Sequence, residues 1–465
     1  MSDRETWASR LGFILAAIGS AVGLGNIWQF PFKTATNGGA VFLVFYLAAV
    51  LLIGFPAMLA EFIIGRRTNH NAVDAFTELG HRQWRVVGAL GVVTGFWILS
   101  YYNVVGGWVM RYILGSATGA YFGSPAEYFG AISTGPEAVA GQALFLLVCL
   151  GIVALGIEDG IEKATKLMVP SIVVLMLAMA AWVTTLEGAG AGYGYFLSPD
   201  FSTLAANAGD LIPFAVGQAF FTLSLGMAAM ITYSSYIADD ESLPTDGGII
   251  VVTNTLIGVL AGLVVFPILF AIGVSPDTSG PSAIFVAMAS AFPSRVPAAS
   301  PRKSCRSPAS AFPQLPAGRL LGVVFFGVVL IAAVSSAISL LEVVVSYGVD
   351  NTSYSRVSLS AAVGVALFVL GLPSAWNLAW FGWFDTLAYK LFLPLSVLLI
   401  LVFVGWVLSS EAVDELRQGT GGLRTFGPVW LWMVRTVVLL GVVLTLALGL
   451  ETLFLAEDPA IVPPV

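Results

Sequence analysis

Charge is what this chain has least of: only 10% of its 465 residues are Asp, Glu, Lys or Arg. Soluble domains carry about a quarter, and 58% of this chain is hydrophobic, so a soluble globular protein is excluded. Lysine is scarcer still, five against fifteen arginines, and no basic cluster lies on a polar domain. Nucleic acid therefore has nothing to bind. Of the two cysteines, Cys149 falls in an apolar run and Cys305 in a polar loop, so no disulfide is expected. No catalytic triad or metal-hydrolase motif is present, and the chain does not read as an enzyme. Met1–Trp7 is too short and polar for a cleaved signal peptide, so the first apolar run is expected to act as its own insertion signal.

What the chain has is apolar runs long enough to cross a bilayer. They centre on 11–36, 39–64, 86–114, 139–157, 167–186, 211–237, 248–273, 319–347, 357–372, 378–408 and 428–455, eleven in all. Placing the N-terminus inside puts Arg4, Arg10, Arg66, Arg67, Arg82, Arg85, Lys163, Lys166, Arg356, Arg417 and Arg424 on the cytoplasmic side. The positive-inside rule favours that orientation, with the C-terminus outside, in the cell membrane. The acidic stretch Asp239-Asp-Glu-Ser-Leu-Pro-Thr-Asp246 fits a cytoplasmic position poorly.

Two of these runs are interrupted. Gly19-Ser-Ala-Val-Gly-Leu-Gly-Asn-Ile-Trp-Gln-Phe-Pro31 breaks the first, and Gly217-Gln-Ala-Phe-Phe-Thr-Leu-Ser-Leu-Gly226 breaks the sixth. Unpaired backbone in hydrocarbon costs several kcal/mol per group, so such breaks survive only where protein, water or a ligand fills them. Interrupted helices at matching places in two halves point to a transporter binding site. The division expected is a core over 1–408, with repeats at about 8–190 and 205–408, followed by a cytoplasmic loop and eleventh span over 409–465. Residues 294–313, rich in Pro, Ser and Ala and holding a second Ser-Ala-Phe-Pro, read as a disordered external insertion or a sequence scar.

Neither break contains Lys or Arg, so an anionic substrate group would meet no fixed cation there. Half-helix N-termini offer free N–H groups and about half a positive charge instead.

Further motifs give these breaks a context. Trp7-Ala-Ser-Arg-Leu-Gly12, Gly23-Leu-Gly-Asn26, Gly38-Gly39, Glu61-Phe-Ile-Ile-Gly-Arg66, Gly160-Ile-Glu-Lys-Ala-Thr-Lys166, Gly217–Gly226 and Ser335-Ser-Ala-Ile-Ser-Leu-Leu-Glu342 occur in order. Together they resemble the neurotransmitter:sodium symporter family over spans one to ten, in its shorter prokaryotic, eleven-span form. The resemblance implies an all-α polytopic membrane protein, two inverted five-helix repeats with broken helices one and six, plus an eleventh helix. It implies alternating-access symport of an amino acid with sodium, two ions being expected, and the uncharged pocket it maps suits an apolar or aromatic amino acid. A transport-inactive amino-acid sensor and a proton-driven or sodium-independent exchanger are the rival readings; the absence of Lys from the interior of span five argues for sodium over a proton.

By the same resemblance the first sodium ion falls to Ala21, Asn26, Thr222 and Asn254, and the second to Gly19, Val22, Ala332, Ser335 and Ser336. All supply hard oxygen donors. Ordinary interhelical hydrogen bonding by Thr222 and Asn254, and back-bonding by the serine pair, are the structural alternatives. The substrate would meet Ala21, Leu24, Gly25, Ile98, Tyr102, Phe221, Thr222, Ser224, Met227 and Leu340. Gating is expected of Gln29 with Asp385 outside, and of Arg4, Trp7, Tyr236 and Asp350 inside. Gln29 replaces the family's usual Arg, so an amide hydrogen bond to Asp385 stands in for an ion pair, with Lys33 or Lys390 as other partners. Tyr46 and Gln218 match a chloride site, but Gly258 does not, and chloride dependence stays open. Gly160 and Pro170 match a spacing tied to unwinding of span five, and Glu61 is expected to brace both broken helices. Membrane lipid is the other partner; the residues do not set an oligomeric state.

Overall fold

A computed structural model describes residues 6–238, 241–273, 283–291, 318–418, 425–455 and 459–464. The 294–313 insertion and Arg4 lie outside the described residues. Among those described there is no strand. The chain folds as α1 (Arg10–Ala21), α2 (Gly25–Thr36), α3 (Ala40–Thr68), α4 (Arg82–Thr118), α5 (Pro136–Val153) and α6 (Ile157–Val183). It continues as α7 (Leu204–Thr222), α8 (Ala229–Ser234), α9 (Leu243–Ala271), α10 (Gly318–Asn351), α11 (Arg356–Trp376) and α12 (Leu378–Leu408). A short helix, α13 (Ser410–Arg417), leads to α14 (Phe426–Leu455).

Among the described residues nine helices are long and apolar enough to cross a membrane, ten when α1 and α2 are paired as one broken span, and the shorter α7 and α8 flank the second break where the sixth apolar run is predicted. Because the first five are odd in number, the second five begin on the opposite side, which inverts one set against the other. The α1–α2 break bends the axis by 46°.

Burial separates core from periphery. In the apolar window of α10, 67% of residues are buried within the protein, against 28% for α6 and α11. Leu147, Leu167, Val174, Val365 and Leu440 point outward, a face only lipid would cover. At about 1.5 Å per residue, the 37-residue α4 is near 55 Å long and outruns a 30 Å hydrocarbon layer. Small residues let backbones approach: a Cβ on Gly107 would lie 2.5 Å from the Gly141 carbonyl carbon, so α4 and α5 touch there.

The acidic 239–246 stretch finds its reason here. Arg10, at the start of α1, pairs with Glu241 at 2.8 Å and with buried Asp246 at 2.6 Å. The acids neutralise a basic helix end, which outweighs any topological preference.

Candidate functional site

The two breaks lie side by side and satisfy each other. Gly23 and Gly25 are required by crowding: a Cβ on Gly23 would sit 2.8 Å from Ser336 Cβ, and one on Gly25 2.8 Å from Phe221 Cδ1. In the second break Ser224, Gly226 and Ala228 all take positive φ, at 53°, 76° and 60°. For the two non-glycines that is strained backbone, of a kind that collects at functional sites. Side chains cap the freed groups. Gly226 N–H donates to Glu61 Oε1 at 2.7 Å, Ser224 Oγ donates to Ser20 O at 2.9 Å, and Gln218 Nε2 donates to Gly25 O at 3.0 Å. Glu61 was expected to brace both broken helices. It holds the sixth span alone, its Oε2 having no hydrogen-bond partner, and Ser224 and Gln218 make the cross-links to the first.

Beside the breaks, oxygens converge. Asn254 Oδ1 accepts from Asn26 Nδ2 at 2.8 Å, yet lies 3.2 Å from both Ala21 O and Thr222 O, neither of which can donate. Turning the Asn254 amide round would let it donate to both carbonyls, but would set its nitrogen 2.8 Å from Asn26 Nδ2. Neither orientation satisfies every group, and Asn26 Oδ1 is buried with no partner. A cation among Ala21 O, Thr222 O and the amide oxygens would resolve the conflict, so this donor set fits sodium. The Asn254–Thr222 hydroxyl contact, at 3.3 Å, is long for a structural hydrogen bond.

The second set is also assembled. Ser335 Oγ lies 3.3 Å from Val22 O and 2.9 Å from Ala332 O, so it both reaches the break and back-bonds. A Cβ on Gly19 would lie 3.4 Å from Ser335 Cβ, which places Gly19 on the same contact. Ser336 faces Gly23 next to the Tyr102 hydroxyl.

A narrow cavity of about 10 Å³ lies between these sets, lined by Ala21, Gly23, Gly25, Ile98, Tyr102, Phe221, Ser224, Met227, Ser336 and Leu340. Eight of these are the residues expected to meet substrate. Leu24 contributes through its backbone, donating N–H to Tyr102 OH at 3.1 Å, and Thr222 belongs to the oxygen set. Gly23 was missed, although as the middle glycine of the break it carried the signal. Gly258 leaves room close by: a Cβ there would lie 3.6 Å from Asn26 Nδ2 and 3.9 Å from Tyr46 OH.

Outside the pocket the expected amide bond does not form. Asp385 accepts instead from Tyr101 OH at 3.1 Å, while Gln29 is buried with its Oε1 unpartnered. The neutral Gln29 side chain has no charge to draw it across to the carboxylate. Lys33, one turn along α2, acts electrostatically on Asp385. Its ammonium lies 4.9 Å from the Phe214 ring centroid and 5.4 Å from that of Tyr389.

On the opposite face Trp7 donates to Tyr233 O at 2.9 Å and packs edge-on against Tyr233 and Tyr236. Ala8 N–H and Ser9 Oγ donate to Glu162, at 2.8 and 2.9 Å, tying the N-terminal segment to α6. Gly160 sits in a wide first turn of α6 pressed on Ile152 O, and Pro170 lies within the helix that follows. Tyr236 OH donates to Glu342 Oε1 at 3.0 Å, and Arg356 grips the same carboxylate at 2.5 and 3.1 Å. Asp350 accepts from Asn71 at 3.0 Å.

Asn71 also donates to Asp74, as do Asn351 and Arg85. Burial works to raise the Asp74 carboxyl, but the Asn71 and Asn351 hydrogen bonds and the charges of Arg85 and His70 hold it below the ordinary range. Its stabilisation is therefore complete above the unfolded value, near 3.9, and is lost as pH falls through the lower folded value. Thermal unfolding should show Asp74→Asn losing less stability than the native chain between about pH 5 and pH 3. Parallel losses would contradict the account.

Comparison with known proteins supplies the context. A sequence model of the sodium:neurotransmitter symporter family matches residues 4–122 and 134–456, which extends the resemblance through the eleventh span. A Bacillus subtilis protein described as a sodium-dependent transporter is 34% identical over 464 residues, covering 96% of this chain and 98% of its own. One from Methanocaldococcus jannaschii, described likewise, is 34% identical over 97% of this chain and 90% of its own. The human sodium-dependent neutral amino acid transporter SLC6A17 is 28% identical over 57% of this chain and 41% of its own. Among solved structures, MhsT in complex with L-phenylalanine superposes with a TM-score of 0.84 at 38% identity, covering 96% of this chain and 100% of its own.

Proposed function

The chain belongs to the sodium:neurotransmitter symporter family, and on that premise we propose that it carries an apolar or aromatic amino acid inward together with sodium, by alternating access. The observation that carries this reading is the crowding of the Asn254 side-chain amide, 3.2 Å from two carbonyl oxygens and 2.8 Å from the Asn26 amide, beside an uncharged pocket, with no orientation that satisfies every group. Ala21, Asn26, Thr222 and Asn254 would hold one sodium ion, and Gly19, Val22, Ala332, Ser335 and Ser336 a second. The ions would supply positive charge beside the pocket, where no Lys or Arg stands. Leu24 and Gly25 N–H groups and the Tyr102 hydroxyl would receive the substrate carboxylate; Ile98, Met227, Phe221 and Leu340 would enclose its side chain. The MhsT complex holds phenylalanine, an apolar side chain of the kind this uncharged lining would accept. The two five-span repeats would rock around this site, with the N-terminus cytoplasmic.

Sodium moving inward supplies about 2.3 kcal/mol per charge per 100 mV. Where sodium and substrate share a site, each raises the affinity of the other by the same factor. Uptake of radiolabelled phenylalanine and leucine into proteoliposomes should require sodium and be competed by other apolar amino acids. Binding without uptake would identify a sensor, and uptake surviving replacement of sodium by choline would identify an exchanger. Substituting gluconate for chloride in the same assay decides chloride dependence.

The outer gate is proposed to close through Tyr101, Lys33 and aromatic packing around Asp385. Gln29→Arg would create a charge-assisted bond to Asp385, about twice the strength of a neutral one, and should slow labelling of a cysteine introduced on the outer side of Tyr102. Lys33→Met should speed it. Equal rates in all three proteins would remove Lys33 and Gln29 from gating.

A further inference from the structure

A second cavity, of about 390 Å³, opens between α13 and the first turns of α14, away from the transport site. Its lining includes Ser409, Asp414, Arg417, Trp432 and Arg435. Arg435 lies within an apolar span, where an unpaired charge is costly. Its guanidinium donates to Gly405 O and to Ser409 Oγ, both at 2.7 Å, and lies 5.8 Å from the Trp406 ring centroid. Every one of these partners is neutral, and among the described residues no carboxylate pairs with it. Arg417 reaches the same cavity, bound to Asp414 at 3.0 Å in a pair with both side chains exposed. Such a pair is worth little and can yield to a stronger anion. Trp406 and Trp432 face outward around the opening, where indole rings mark the headgroup level of a bilayer. Helix α13 buries Ala412, Val413 and Leu416 together with Glu415, which pairs with Arg66, and turns Glu411, Asp414 and Arg417 outward; at eight residues it is too short to cross a bilayer.

We propose that this cavity binds the phosphate of an anionic phospholipid from the leaflet on the Arg66–Arg67 side, which the arginine distribution assigns to the cytoplasm. Arg435 forms the floor and Arg417 the rim. The guanidinium fork matches phosphate oxygens, and the tryptophans receive the upper acyl chain. The lipid thereby fastens the α12–α14 corner, where Arg66 already grips Glu415 of α13 at 2.6 Å.

The test uses the full chain, purified and delipidated in detergent, titrated with phosphatidylglycerol and followed by native mass spectrometry and thermal unfolding. Native protein should retain phosphatidylglycerol and melt higher with it; phosphatidylcholine and inorganic phosphate should do neither. Arg435→Gln should weaken retention about tenfold, as loss of a charge-assisted contact requires. Arg417→Gln, on an exposed residue, should weaken it several-fold. Retention equal to native in the Arg417→Gln and Arg435→Gln proteins overturns the proposal, as does equal retention of phosphatidylcholine. A stabilisation reproduced in full by inorganic phosphate would show a free-anion site and overturn the lipid assignment.

Discussion

Replacing Asn254 by alanine is expected to lower apparent sodium affinity about 10- to 150-fold, the loss that follows from removing one ligand worth 1.5–3 kcal/mol to a charged partner. The Asn254 amide oxygen is held against Ala21 O and Thr222 O by the helices themselves, so the other ligands stay in place when it is cut away. Asn26→Ala should act in the same direction. Thr222→Val should act less, because its carbonyl survives, and Thr222→Ser should restore the hydroxyl and most of the affinity. The linkage supplies a control. At saturating sodium, substrate affinity in Asn254→Ala should return toward native, whereas damage to the substrate pocket itself, as in Tyr102→Phe, should persist at any sodium concentration. Equilibrium binding of labelled substrate across a sodium titration reads both. An unchanged sodium midpoint in folded Asn254→Ala and Asn26→Ala proteins would remove the first sodium assignment.

Arg356→Met is expected to destabilise the protein by about 3–5 kcal/mol, because it strands a fully buried carboxylate. Glu342 has no side-chain exposure, and Arg356 has 15%. The Tyr236 hydroxyl would remain as a neutral donor, too weak to offset a desolvated charge. Adding Glu342→Gln to Arg356→Met should recover most of the loss, since the amide carries no charge and still accepts from Tyr236. The comparison of both single variants with the double isolates the coupling. Thermal unfolding in detergent measures it; an unchanged melting temperature in Arg356→Met, or a double variant no better than the single, would refute the pairing.

The lesson for sequence reading lies in which contacts could be anticipated. The glycine-rich interruptions of the apolar helices are a local feature with a local cause, so the breaks within 19–31 and 217–226 were legible; which residues of other helices face them was not. Glu342 lies inside an apolar run, where an isolated carboxylate is costly, but nothing in the sequence names its partner, because Arg356 reads as one more cytoplasmic cation until α10 and α11 fold against each other. The gate shows the same limit. Gln29 and Asp385 could be matched by position, but the donor that reaches Asp385 is Tyr101, on a different helix, and no spacing connects residues 101 and 385.

Composition, hydropathy and the placement of glycine determined the class: few charges, long apolar runs and two interrupted helices mark a polytopic helical membrane protein, while the inverted pair of five-span sets is what the family resemblance implies. These are properties of single segments in a bilayer, where backbone must satisfy itself and helices form independently. Tertiary structure decided which neutral oxygen meets which. Among the described residues Asn254 confronts Ala21 and Thr222, Glu61 accepts from Gly226, and Arg435 donates to the neutral Gly405 and Ser409, because side-chain partnership depends on how helices far apart in sequence cross. Their packing is set by the summed fit of many small contacts, and no local pattern encodes that sum.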